Sequence, residues 1–198
     1  MKIRTAGILA AALACALAEV GCLSRAGSAK QDDPAAAASR GERASAVVAR
    51  WSDLPAAAAR ALLQEYGVPD VVRDRLLVWE NDGPWRRIVV RDARANRGEG
   101  GENGCLEQSI DYALTPAQAA AVAFAFGGTV MFNPRNQELT ARSDAEGLNY
   151  LRLNLAHDVA RGALPEDRAR DEYARIISLA ESGKTSPYLL GLSFGPEQ

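Results

Sequence analysis

Histidine is nearly absent from this chain of 198 residues: His157 stands alone, with three cysteines beside it in the composition. A zinc site takes three or four nitrogen, sulfur or oxygen ligands, mostly His and Cys, so no metal is expected, and no other cofactor is indicated. Blocks of positive charge are also missing. The 23 basic and 25 acidic residues are interspersed, for a net charge of −2, which argues against nucleic acid as a partner, since such proteins carry a basic stripe. No apolar run reaches the ~18–20 residues that span a bilayer. Clusters of the groups that most enzymes converge on a substrate are sparse, so the sequence leans away from catalysis.

What is present begins at the N-terminus. Met1-Lys2-Ile3-Arg4 is a short basic start, and Thr5 to Ala18 is uncharged. Ala16-Leu17-Ala18 then has the small-x-small form of a cleavage site. This is the pattern of a secretory signal over residues 1–21. Cleavage after Ala18 would free a soluble chain starting at Glu19. A lipoprotein signal instead needs a cysteine after small residues, and two compete for that role. Cys22 follows Val20 and Gly21 but has Glu19 three places before it; Cys15 has the better Ala12-Leu13-Ala14 context after a short apolar run. The expected location is the bacterial cell envelope, periplasmic or anchored at the outer membrane, with a lipid anchor as the only membrane attachment. If Cys22 survives unlipidated, it could pair with Cys105 in an oxidising compartment.

Residues 22–46 are rich in Ala, Ser and charge, lack aromatics and show no sustained apolar period. They are expected to form a flexible tether. Residues 47–198 suit a single domain with one core. Loss of residues 1–21 removes Lys2, Arg4 and Glu19 and leaves the charge at −3.

Ser52, Asp53 and Pro55 mark a helix start. Ala58, Ala59, Leu62, Leu63 and Tyr66 share one helical face, and Gly67 and Pro69 end it. Leu76 to Trp79 and Trp85 to Asp92 read as a hairpin about the turn Asn81-Asp82-Gly83-Pro84. Gly-rich Arg94 to Gly104 is a loop; it leads to a strand, not a helix, so it is no phosphate loop. In that strand, Leu106, Gln108, Ile110 and Tyr112 alternate with Glu107, Ser109, Asp111 and Ala113. Thr115-Pro116-Ala117-Gln118 has the form of a capping box, and the helix to Phe126 is so apolar that deep burial is expected. A second hairpin joins Thr129–Phe132 to Glu138–Arg142. Asp144 is expected to cap a helix to about Arg161, and a last helix runs from Pro165 to Gly183. Tyr188, Leu189, Leu192 and Phe194 should pack the tail onto the body. The expected fold is α+β, with a mainly antiparallel sheet of about five strands covered by about four helices.

Two residue sets could carry function. Glu138, Arg142, Asp144, Glu146 and Asn149 lie where a strand runs into a helix, a place suited either to a structural cap or to a ligand. Trp79, Trp85 and Arg87 surround the first hairpin, and tryptophan and arginine are enriched in interface hot spots, although a core role for both tryptophans is the competing reading. Glu107 and Asp111 share a strand face but would sit roughly 13 Å apart, beyond the roughly 5–9.5 Å of glycosidase pairs. On a helix, His157 falls away from the leucine stripe, as a half-exposed histidine would.

Tyr66-Gly67-Val68-Pro69, Leu77 to Arg86, Leu106 to Tyr112, Glu138 to Arg142 and Asn149 to Asp158 together resemble a family of uncharacterised exported bacterial proteins, over about residues 51–194. The resemblance implies a shared fold and no reaction. The family's histidines between its second and third strands have no counterpart in Arg94 to Gly104. The helix–Tyr-Gly-x-Pro–hairpin unit is also similar to small outer-membrane lipoproteins of the BamE type. The expected function is a non-catalytic envelope domain that binds a protein or small ligand. The alternative is a carboxylate-dependent, hydrolase-like periplasmic enzyme with its site near Asp144.

Overall fold

The computed structural model describes residues 33–92 and 104–195. The signal, both candidate lipidation cysteines and most of the glycine-rich loop lie outside the described residues. Helices α1 (Pro34–Val48) and α2 (Asp53–Tyr66) lead into β1 (Val71–Arg73), β2 (Leu76–Asp82), β3 (Trp85–Arg91) and β4 (Leu106–Asp111). Then follow α3 (Pro116–Phe126), β5 (Val130–Asn133), β6 (Glu138–Ser143), α4 (Glu146–Ala160) and α5 (Ala169–Glu181). The six strands form one antiparallel sheet in the order β1-β2-β3-β4-β6-β5. The protein is thus a single α+β domain, with one more strand and one more helix than the sequence indicates.

The extra helix corrects the tether. Residues 34–48 are helical, with the Asp33 carboxylate accepting from the Ala35 amide at 3.0 Å. Ala44, Val47 and Val48 are buried in the main core. Ala44, from the expected tether, joins Val47 and Val48 at helical spacing, and α1 packs against β1 and α2. The extra strand, β1, has three residues, too few to show an alternation.

One face of the sheet carries the core. Leu77, Trp79, Ile88, Val90, Leu106, Ile110, Leu139 and Ala141 point at the helices and are almost fully buried. Each large aliphatic side chain so placed contributes about 1.5–3 kcal/mol. α4 lies centrally, against β6, β4, α3 and α5. Ten of its fifteen residues are buried, so it is enclosed on nearly all sides instead of presenting one stripe. His157 is among them, at 6% exposure, and is not the half-exposed residue its helical position suggests.

The other face is a polar ladder. Glu107 and Arg142 are cross-strand partners joined at 2.6 Å. Arg87 meets Glu138 at 3.0 Å, Arg86 meets Asp111 at 2.6 Å, and Thr140 donates to Ser109 at 3.1 Å. Opposite charges facing each other across strands are favourable pairs.

α3 is capped as its sequence indicates: Thr115 and Gln118 exchange bonds, and the Gln118 amide reaches the Ala160 carbonyl at 3.0 Å. Its burial is less than its composition suggests. Val122, Ala125 and Phe126 are buried, but Phe124 is 64% exposed. The helix packs against α4, β5 and α5, which leaves part of a nearly all-apolar segment facing out.

Candidate functional site

The two residue sets meet at Glu146. This carboxylate stands in the first turn of α4, where the positive end of the helix dipole favours an anion. Its Oε1 accepts from the Tyr66 hydroxyl, the Trp85 indole and the Gln108 amide, each at 2.7 Å. The donors come from α2, β3 and β4, so one oxygen ties three elements to a fourth. The Trp85 N–H also lies 3.0 Å from the Tyr66 oxygen. Behind this cluster, Asn149 donates to the Gln108 carbonyl oxygen at 2.9 Å, while its own Oδ1 is buried without a partner. Tyr150 stacks on Trp85, with ring centres 4.9 Å apart.

Strand alternation would put Trp85 on the side of Arg87 and Val89, away from the helices. The hairpin breaks that rule. Asn81 has φ 55°, and the pairing skips from Glu80–Arg87 to Asp82–Trp85. The indole thereby reaches Glu146, and only 2% of Trp85 is exposed. Trp79 is fully buried and donates to the Gly67 carbonyl at 3.1 Å, closing the end of α2. Of this set, Arg87 alone reaches solvent, on the open sheet face.

The strand–helix set is divided. Glu138 and Arg142 belong to the polar ladder, whereas Asp144, Glu146 and Asn149 lie on the helix side. Asp144 is not the cap of α4: that position is Ala145, with no side-chain bond. The Asp144 carboxylate instead accepts from the Cys105 amide at 3.0 Å, fastening β4 to the end of β6. Cys105 is buried. Burial first, and then Asp144, push its thiol up to about 12, which makes it a poor nucleophile.

Two hollows flank the cluster. One, of about 560 Å³, runs between the first hairpin and the C-terminal segment; Trp85 and Tyr150 line it, with Arg86, Asp111 and the 70%-exposed Leu190 beside them. The other, of about 360 Å³, opens between α2 and the start of α4, with Glu65, Asp144 and Glu146. A larger hollow of about 630 Å³, between α3 and β5, is lined by apolar residues and has no titratable group. Among the described residues, no group of three or more His, Cys, Asp and Glu is placed to hold a metal ion, and no helix is long and apolar enough to cross a membrane.

No protein-family model, curated protein or solved structure matches the chain. What the site can do is therefore a question of its geometry.

One motif passed over in the sequence is Gly191-Leu192-Ser193-Phe194-Gly195, which has the Gly-x-Ser-x-Gly spelling of hydrolases. That chemistry requires a strand-to-helix turn that exposes the serine. Here the segment follows a short 3₁₀ turn, Pro187–Leu189, near the end of the chain. Ser193 donates its hydroxyl to Asn154 Oδ1 at 3.0 Å, and its amide donates to the same oxygen at 2.8 Å. Asn154 in turn donates to the Tyr188 and Gly191 carbonyls. The motif is a clamp that docks the tail on α4. His157 is occupied elsewhere: its Nδ1 lies 2.6 Å from the Tyr112 hydroxyl, and Phe194 stacks on its ring at 4.3 Å. Burial lowers its affinity for a proton and keeps the imidazole neutral.

Tyr66 and Gln108 are the site residues that sequence reasoning missed. Gln108 carried a signal: a glutamine on the apolar side of a strand must find a buried partner.

These contacts predict a pH response. Burial, followed by the Glu146 carboxylate, raises the Tyr66 and Tyr150 hydroxyls. Burial raises Tyr112 and Cys105, and the bond to Asp158 raises Tyr188 to about 12. The folded chain therefore keeps protons that the unfolded chain gives up. Stability from these groups is complete below the unfolded thiol value of 9.0 and is lost as pH rises toward about 12. Urea midpoints should fall steadily over that window, and tyrosinate at Tyr66, Tyr112, Tyr150 and Tyr188 should appear together with unfolding. Ionisation of any of these four well before unfolding would refute the buried assignments.

Proposed function

We infer that this chain is an exported, non-catalytic binding domain of the bacterial cell envelope, with the hairpin groove as its binding surface. The observation that carries the reading is the state of Glu146. Three donors are already seated on one carboxylate oxygen, so the most elaborate polar cluster among the described residues is spent on holding a Trp85–Tyr150 stack beside an open groove. Tyrosine, tryptophan and arginine are the side chains enriched in interface hot spots, and Tyr150, Arg86 and the edge of the buried Trp85 line this groove. The basic start and apolar run of residues 1–18 support export. The paired state of Glu138, Glu107 and Asp111 with arginines also speaks for binding over acid–base chemistry.

A second reading keeps the carboxylate enzyme, because Asp144 and Glu146 do share the hollow beside α2. The two separate by experiment. A photoreactive residue at Leu190 or Asp111 of the full chain, expressed in its own bacterium, should capture a discrete adduct that the same residue at exposed Lys184 does not. Equal capture at all three positions, with turnover of a hydrolase substrate panel lost in Asp144→Asn, would overturn the binding reading.

A further inference from the structure

The C-terminal end of α3 abuts a hollow of about 430 Å³ whose lining includes Arg152, Arg170, Phe126 and Tyr173. No residue lining it is acidic. Arg152 is the only buried arginine among the described residues, at 7% exposure. The buried acids Asp92 and Glu138 both lie beside arginines, but among the described residues no carboxylate lies within ion-pair distance of Arg152 and its buried Nη1 has no hydrogen-bond partner. A guanidinium in such surroundings is costly unless something accepts its protons.

Two local features take up part of that charge and leave the rest. The guanidinium carbon of Arg152 lies over the Tyr173 ring, 5.0 Å from its centre. A ring beneath a guanidinium attracts its charge but gives its N–H groups no oxygen acceptor. The carbonyl end of α3 supplies the equivalent of about half a negative charge, and the Arg170 Nε donates there, to the Ala125 carbonyl at 3.3 Å. Two full positive charges therefore face about half a negative one. Arg152 forms the buried floor of this site and Arg170 its exposed rim.

We propose that this hollow binds a small organic anion, its phosphate or carboxylate group held between Arg152 and Arg170 and its apolar body against Phe126 and Tyr173. Both head groups offer what the floor lacks, oxygen acceptors in the plane of a guanidinium. The hollow is larger than a bare ion needs, and its two aromatic side chains favour a ligand with a flat apolar part. The site shares no residue with the hairpin groove, so it stands or falls independently of the function proposed above.

The test is titration of the full chain with phenyl phosphate and, separately, benzoate, against sodium chloride at matched ionic strength. The Arg152 side-chain N–H signals are followed by NMR. At least one anion should shift them saturably, with a dissociation constant of about 1 mM or tighter; which one does so identifies the head group. Arg170→Gln, at the exposed rim, should weaken binding about tenfold or more. Arg152→Met should abolish it while leaving the anion-free urea midpoint unchanged or raised, because the variant removes an unpaired buried charge. Should Arg152→Met fail to fold, the Arg170→Gln comparison still decides. No saturable shift, an equal shift with chloride, or binding unaltered in Arg170→Gln would overturn the proposal.

Discussion

Replacing Glu146 by alanine should lower the stability of the domain by about 3 kcal/mol or more, with Glu146→Gln losing only about 1–2 kcal/mol. The difference comes from what each change leaves behind. In the alanine variant the Trp85 indole keeps the Tyr66 oxygen as an acceptor at 3.0 Å. The Gln108 amide, 2.7 Å from the lost oxygen, keeps no acceptor, and the Tyr66 hydroxyl, also at 2.7 Å, loses its carboxylate partner. Each orphaned buried donor costs about 1–3 kcal/mol, and loss of the anion from the first turn of α4 removes roughly 0.3–1 kcal/mol more. Glutamine keeps an acceptor oxygen and loses the charge. Urea unfolding followed by tryptophan fluorescence reads both effects. A loss below about 1 kcal/mol in Glu146→Ala would mean that water replaces the carboxylate freely, and the cluster would then be a wet site instead of a fastening.

Much of the frame behind this cluster was legible because its signals are local. The Asn81–Pro84 turn, the Thr115–Gln118 box and the alternation from Leu106 to Tyr112 each lie within a few residues; the box and the alternation appear as read, and the turn tightens to Gly83-Pro84 between β2 and β3. Junctions between distant segments were not legible. Glu146 and Trp85 were singled out for separate reasons, as a helix-start acid and as a hairpin aromatic. Nothing in a linear pattern shows that a distorted hairpin carries the indole across the sheet to that acid. Helix periodicity misplaced His157 for a related reason. It assumes one buried face, whereas α4 has the sheet on one side, α3 and α5 on others, and a C-terminal segment clamped by Asn154 over the remainder. Composition failed in both directions, too. Alanine-rich residues 34–46 seemed too bland to fold and belong to a helix, and the strongly apolar α3 leaves Phe124 in solvent.

Gly104→Ala should be among the most damaging single changes, with a stability loss of about 3 kcal/mol or more. A Cβ at this position would lie 1.9 Å from the Ser143 carbonyl oxygen, 2.0 Å from its carbon and 2.3 Å from its Cα. All three are backbone atoms, so no rotamer change relieves the overlap. Either the start of β4 or the end of β6 must move. That movement acts where the two strands are fastened: Leu106 pairs with Ser143, and the Cys105 amide donates to Asp144 at 3.0 Å. It also reaches the cluster, because Ser143 bonds the Ala145 backbone one residue before Glu146. The expected signature is therefore double. The urea midpoint should drop, and the buried Cys105 thiol should become reactive toward a disulfide reagent under native conditions, since opening this junction removes the burial that suppresses its ionisation. A Gly104→Ala protein with the parent's midpoint and an unreactive Cys105 would show that the two strands tolerate a wider separation there. In that case Asp144 and Glu146 would be positioned by α4 alone and not by the close approach of β4 to β6.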